Sequence, residues 1–82
     1  MNPYQKAKQY FISCHKEKDF DSRSFDNKRS IFTDMWKIVG SENYKYYDMA
    51  ATPWSFKKNK TYSEYLEIIN LAIKYYDNRT FI

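Results

Sequence analysis

An all-α fold, a small bundle of three main helices plus one short helix, is predicted by three features of this sequence. Apolar residues recur at the three-to-four-residue spacing of a helix face in several segments. Residues that favour helix starts stand ahead of those segments. The one glycine among 82 residues leaves little material for tight hairpins, and no pair of alternating segments brackets a turn signal. A chain of this length can build one hydrophobic core and not two, so residues 1–82 are expected to form a single helical domain.

The first helix is expected over about 3–18, with Asn2 as its N-cap, Pro3 at the first helical position and Gln5 reaching back to the cap amide. Ala7, Tyr10, Phe11 and Cys14 form its apolar stripe, which puts Cys14 in the core and its neighbour His15 on the surface. Residues 19–25 have no period and read as a loop pinned by Phe20 or Phe25, with Asp19, Asp21 and Asp26 as solvated charges. Asp26 also suits the cap of a second helix over 26–39, whose stripe is Ile31, Phe32, Met35, Trp36 and Val39 and which Gly40 ends. A short third helix is expected over 42–50, capped by Ser41 and stopped because Thr52, preceding Pro53, is pushed toward extended backbone. Tyr44, Tyr46 and Tyr47 would also suit a strand, so 44–56 keeps helix, strand and loop as alternatives. After a loop over 52–60, Thr61 and Glu64 form a T-x-x-E capping box ahead of the fourth helix, over 62–78. Its stripe of Tyr62, Tyr65, Leu66, Ile69, Ala72, Ile73 and Tyr76 is widened by Ile68, Leu71 and Tyr75, a breadth suited to a central helix or to one carrying an interface.

Catalytic, metal and cofactor sites are not expected. Cys14 and His15 are the only residues of their kinds, and adjacent helix positions point about 100° apart, so they form neither a ligand pair nor a nucleophile–base dyad. The chain has no glycine-rich phosphate loop, nucleophile elbow or HExxH pattern. No stretch approaches the roughly 20 apolar residues of a membrane span, and Met-Asn-Pro-Tyr-Gln-Lys does not resemble a signal peptide, which predicts a cytoplasmic protein with no membrane partner. Phe, Tyr, Met, Ile, Asn and Lys, all with A/T-rich codons, make up 42 of the 82 residues. Codon bias of that kind weakens the net charge of +4 as a sign of nucleic-acid binding.

Two features suggest contact with a macromolecule. Trp54-Ser55-Phe56-Lys57-Lys58-Asn59-Lys60 interleaves aromatic faces with cations, as single-stranded nucleic-acid sites often do. Its alternative is that Trp54 and Phe56 fold back onto the core. Seventeen aromatic residues exceed what a small helical core is expected to bury, which marks Tyr44, Tyr46 and Tyr75 as surface contacts. The partner-binding residues are therefore expected among Tyr44, Tyr46, Trp54, Phe56, Lys57, Lys58, Lys60 and Tyr75. Trp36-Lys37 with Val39, Tyr47 and Ala51 resembles the middle of an HMG box, but Pro53 falls where that module's long helix would continue and its basic N-terminal strand is missing, so the chain is not assigned to that family.

The expected function is a small non-catalytic binding protein, encoded by a phage or mobile element, that acts stoichiometrically on a larger host protein such as a bacterial defence nuclease of the CRISPR effector type. The alternative is a nucleic-acid binder that holds phosphates with Lys57, Lys58 and Lys60, and with Lys28 and Arg29. A second alternative is an assembly subunit forming a homodimer through helix 62–78, with Ile68 in the interface.

Overall fold

Asn2 opens the first helix as its position predicts, with its side-chain Oδ1 accepting the Tyr4 N–H at 2.8 Å. The computed structural model describes residues 2–54 and 59–78, and among these it contains five α-helices and no strand. They are α1 (Pro3–Cys14), α2 (Glu17–Asp21), α3 (Phe25–Val39), α4 (Tyr44–Ala51) and α5 (Tyr62–Asn78), with 3-10 turns at Ser41–Asn43 and Thr52–Trp54.

The expected helix over 3–18 is broken. His15 (φ −136°, ψ 135°) and Lys16 (φ −96°, ψ 146°) are extended, and a separate short helix follows. In an unbroken helix Phe11 and Phe20, nine positions apart, would face about 180° away from each other. The break lets both rings enter one core, 5.1 Å apart and fully buried. It also reverses the expected roles of the neighbouring pair: Cys14 is exposed, whereas His15 is half-buried with its ring against Phe11 and Phe20. Burial, aided by the charge of Arg23, lowers the His15 pKa below its usual value.

The N-cap of α3 is Ser24, not Asp26: the Ser24 hydroxyl accepts the Asn27 N–H, and Asp26 sits in the first turn, where a carboxylate suits the helix dipole. Gly40 ends α3 at φ +88°. Thr52 is helical (φ −51°, ψ −45°) despite preceding Pro53, so the chain runs from α4 straight into a 3-10 turn. The Thr52 hydroxyl donates to the Asp48 carbonyl at 2.7 Å and holds that turn. Ser41 makes no side-chain cap, and the helical alternative for 44–54 is the one adopted.

The start of α5 is capped three ways. Glu64 Oε1 accepts the Thr61 N–H at 2.9 Å and Thr61 Oγ1 accepts the Glu64 N–H at 3.2 Å, which is the expected reciprocal box. Asp21, read from sequence as a solvated charge, accepts the Tyr62 N–H at 2.7 Å, and the Ser63 hydroxyl donates to Glu17 at 3.3 Å. Two carboxylates of α2 therefore sit at the positive end of α5.

Helix α5 is central, packing on α1, α2 and α4 and burying Tyr62, Tyr65, Ile68, Ile69 and Ala72. Ile68 is fully enclosed by the chain's own core, so it is not an interface residue. Asn2 ties the start of α1 to the last turns of α5: its Nδ2 donates to the Ile73 carbonyl at 3.1 Å and to Asp77 Oδ1 at 2.9 Å. Tyr4, also buried, donates its hydroxyl to the Asn43 carbonyl and accepts the Tyr47 N–H at 3.1 Å, joining α1 to α4. The aromatic surplus is largely absorbed inside: among the described residues Tyr10, 39% exposed, is the one largely open aromatic.

Candidate functional site

Positions separated by three or four residues share one helix face, and on α3 that rule aligns Phe25, Arg29, Phe32, Thr33 and Trp36. Tyr47 of α4, Tyr65 of α5 and Lys60 complete the described walls of a cleft of about 330 Å³. Its floor is a run of touching rings. Phe32 lies 4.5 Å from Tyr65 and 5.1 Å from Tyr47, and Tyr47 lies 4.8 Å from Trp36. Such rings supply a large apolar surface of fixed shape, since each is held by its neighbours.

Two cations flank that floor. The Arg29 guanidinium lies 5.6 Å from the Phe25 ring, and the Lys60 ammonium lies 5.8 Å from the Tyr65 ring. Lys60 is positioned by Lys28, which is 2% exposed. The Lys28 ammonium donates to Asn59 Oδ1 and to the Lys60 carbonyl, both at 2.9 Å, and faces the Phe20 ring at 5.4 Å. Every partner of this buried cation is a neutral group. The expected role of Lys28 in holding phosphate is thereby corrected: it is enclosed, and it anchors the segment that enters α5.

The phenols in the walls are held neutral. Burial raises the Tyr47 pKa well above its usual value, with the nearby Tyr65, Asp48 and Tyr4 adding to the effect. Burial also raises that of Tyr65, opposed by the charge of Arg29 across the cleft. The Trp36 indole N–H is shut off from solvent and has no hydrogen-bond acceptor among the described residues. An unmet buried donor costs about 1–3 kcal/mol, so this one is an unusual feature of the wall. The described lining contains no carboxylate, imidazole or thiol, so it offers apolar area, hydrogen-bond donors and positive charge.

Of the contact residues singled out from sequence, Lys60 and Arg29 lie in the cleft. Tyr44 supports it from behind, its ring 4.8 Å from Trp36. Trp54 and Tyr75 are half-buried against the core and are not among the described walls, which for Trp54 matches the folded-back alternative. Tyr46 is 7% exposed and packs on Tyr76, so the expectation that it faces a partner is overturned; its position in α4 turns it toward α5. Phe56, Lys57 and Lys58 lie outside the described residues. Sequence reasoning passed over Phe25, Thr33, Tyr47 and Tyr65 as contact residues, although the i, i+4, i+8 spacing of Phe25, Arg29 and Thr33 was a signal that α3 carries a second ordered face.

Two other hollows are less distinctive. One between α1 and α5, of about 440 Å³, is lined by Gln5, Lys8, Gln9, Ile12, Asn70 and Ile73. The other, of about 250 Å³, adjoins the cleft through Arg29 and is lined by Asp26, Ser30, Thr33 and Asp34 as well. Among the described residues no group of three or more His, Cys, Asp or Glu could hold a metal ion, and no helix is long and apolar enough to cross a membrane. The fold and cleft define a small all-α protein with an aromatic, cation-flanked hollow. No family model, curated protein or solved structure matches this chain.

Proposed function

We propose that this chain is a non-catalytic binding protein that acts stoichiometrically on a larger protein. The observation that carries the reading is the cleft, where fixed aromatic surface is flanked by Arg29 and Lys60 and the described walls hold no carboxylate, imidazole or thiol. Aromatic and Arg side chains in a formed hollow are the composition of protein-binding hot spots. The A/T-rich codon composition favours a regulator encoded by a phage or mobile element, with a host defence nuclease such as a CRISPR effector as the specific target class.

Affinity capture from host lysate, with and without nuclease and at low and high salt, tests the reading. One defined protein is expected to survive both treatments, and its activity is expected to change in proportion to added chain until a fixed ratio is reached. Recovery abolished by nuclease would transfer the chain to the nucleic-acid binders, whose affinity falls steeply with salt.

A further inference from the structure

Resting on that protein-binding reading, we infer that the cleft takes a short acidic segment of the partner, seating one apolar side chain on Phe32, Trp36 and Tyr47 and a carboxylate against Arg29. Volume sets the scale: about 330 Å³ is at the lower end of small-ligand pockets and suits one or two side chains of a docked peptide. Charge sets the sign. Arg29 is exposed and forms no ion pair among the described residues, even though Asp26 and Asp34 line the hollow beside it. A carboxylate entering the cleft meets Arg29 on one wall and the Lys60 ammonium on the other, with no carboxylate in the described lining to oppose it.

The same geometry argues against a polynucleotide. A phosphate chain repeats its charge at every step and is held by a track of cations. Here Asp26 and Asp34 border the adjoining hollow, so among the described residues the positive charge of Arg29 is not continued on that side and suits a discrete anion. The enclosed Trp36 N–H adds a reason for a peptide. A backbone carbonyl of the entering segment is an acceptor for it once the indole turns toward the cleft, which removes an unmet donor present in the free protein.

The test uses the full chain carrying Trp54→Phe, which leaves Trp36 as the only indole. Its indole N–H resonance is followed by NMR during titration with synthetic peptides that alternate Asp or Glu around a central Phe or Leu. The same peptides with Asn and Gln in place of the acids, and an oligothymidylate, serve as comparisons. Saturable shifts with the acidic peptides are expected, weakened at least about tenfold by Arg29→Glu and unchanged by Lys6→Glu on α1, outside the cleft. Trp36→Phe, followed by calorimetry, is expected to weaken the acidic peptides several-fold while leaving the free protein as stable as before. Equal binding of neutral peptides, preference for oligothymidylate, or no saturable shift with any acidic peptide each overturns the inference. If a captured protein partner binds Arg29→Glu as tightly as the unaltered chain, protein binding stands and the cleft is not its site.

Discussion

At Lys28 an ammonium has left water and been met by one side-chain amide oxygen, one backbone carbonyl and one aromatic face. Stripping a charge of solvent is costly unless its donors are all used, and here the three N–H groups have three recipients. Lys28→Met keeps most of the apolar stem but removes both hydrogen bonds to residues 59 and 60. We expect it to cost about 1–3 kcal/mol in urea titration, with the backbone amides around Asn59 and Lys60 shifting most in NMR spectra. Nothing in the sequence marked this lysine, among the eleven, as a buried one, because its burial depends on Phe20 and Asn59 packing around it. The cleft was obscure for the same reason. Phe32 and Trp36 were legible as an apolar stripe on α3, but the packing of Tyr47 and Tyr65 beside them is a tertiary fact with no local signature.

Among the elements, α3 and α5 were the most legible, since the Gly40 stop of α3, the capping box of α5 and their long apolar stripes agree with each other, although the N-cap of α3 was read as Asp26 and is Ser24. Thr61, Glu64 and Gly40 act as their residue types imply. The break in the first helix was not legible, because residues 15–18 contain neither glycine nor proline; it is imposed by the gain from burying Phe20 against Phe11 and Tyr62. Gly40 gives a direct check at this scale. It joins α3 to the following 3-10 turn at φ +88° and ψ 141°, a region nearly closed to residues with a Cβ. An added Cβ would also stand 2.9 Å from Glu42 Oε1, though that carboxylate is the end of a flexible side chain and can swing aside. Gly40→Ala is expected to lose about 1–3 kcal/mol through backbone strain, lowering the thermal midpoint, and removing the Glu42 side chain as well should restore little of it.

Among the described residues a connected run of aromatic rings passes from Phe11 through Tyr62, Phe20, Tyr65, Phe32 and Tyr47 to Trp36, and Tyr4, Tyr76 and Tyr46 form a second group. This makes the protein sensitive to alkali. Burial pushes the Tyr4 pKa up to about 12, against the lowering effect of its bond from the Tyr47 N–H, and Tyr47 and Tyr65 are raised as well. Unfolded phenols ionise near pH 10, so between about pH 10 and 12 the folded state holds protons that the unfolded state has released. The stability these groups contribute is complete below about pH 10 and is lost as pH rises through the folded values. Urea midpoints measured upward from neutral pH should hold level and then fall in that window, together with the ultraviolet signature of tyrosinate, and Tyr4→Phe should make the fall shallower. The placement of α5 at the centre of the bundle has a different consequence, in the order of synthesis. The chain grows from its N-terminus at about 5–20 residues per second, and the helix around which α1, α2 and α4 pack is the last of the five to be made. Asn2 cannot meet Asp77, 75 positions later, until nearly all of the domain has left the ribosome. Until then the nascent helices expose the faces meant for α5, so folding is postponed to the end of translation of this segment, and a ribosome stalled before Tyr62 carries a chain open to chaperones and proteases.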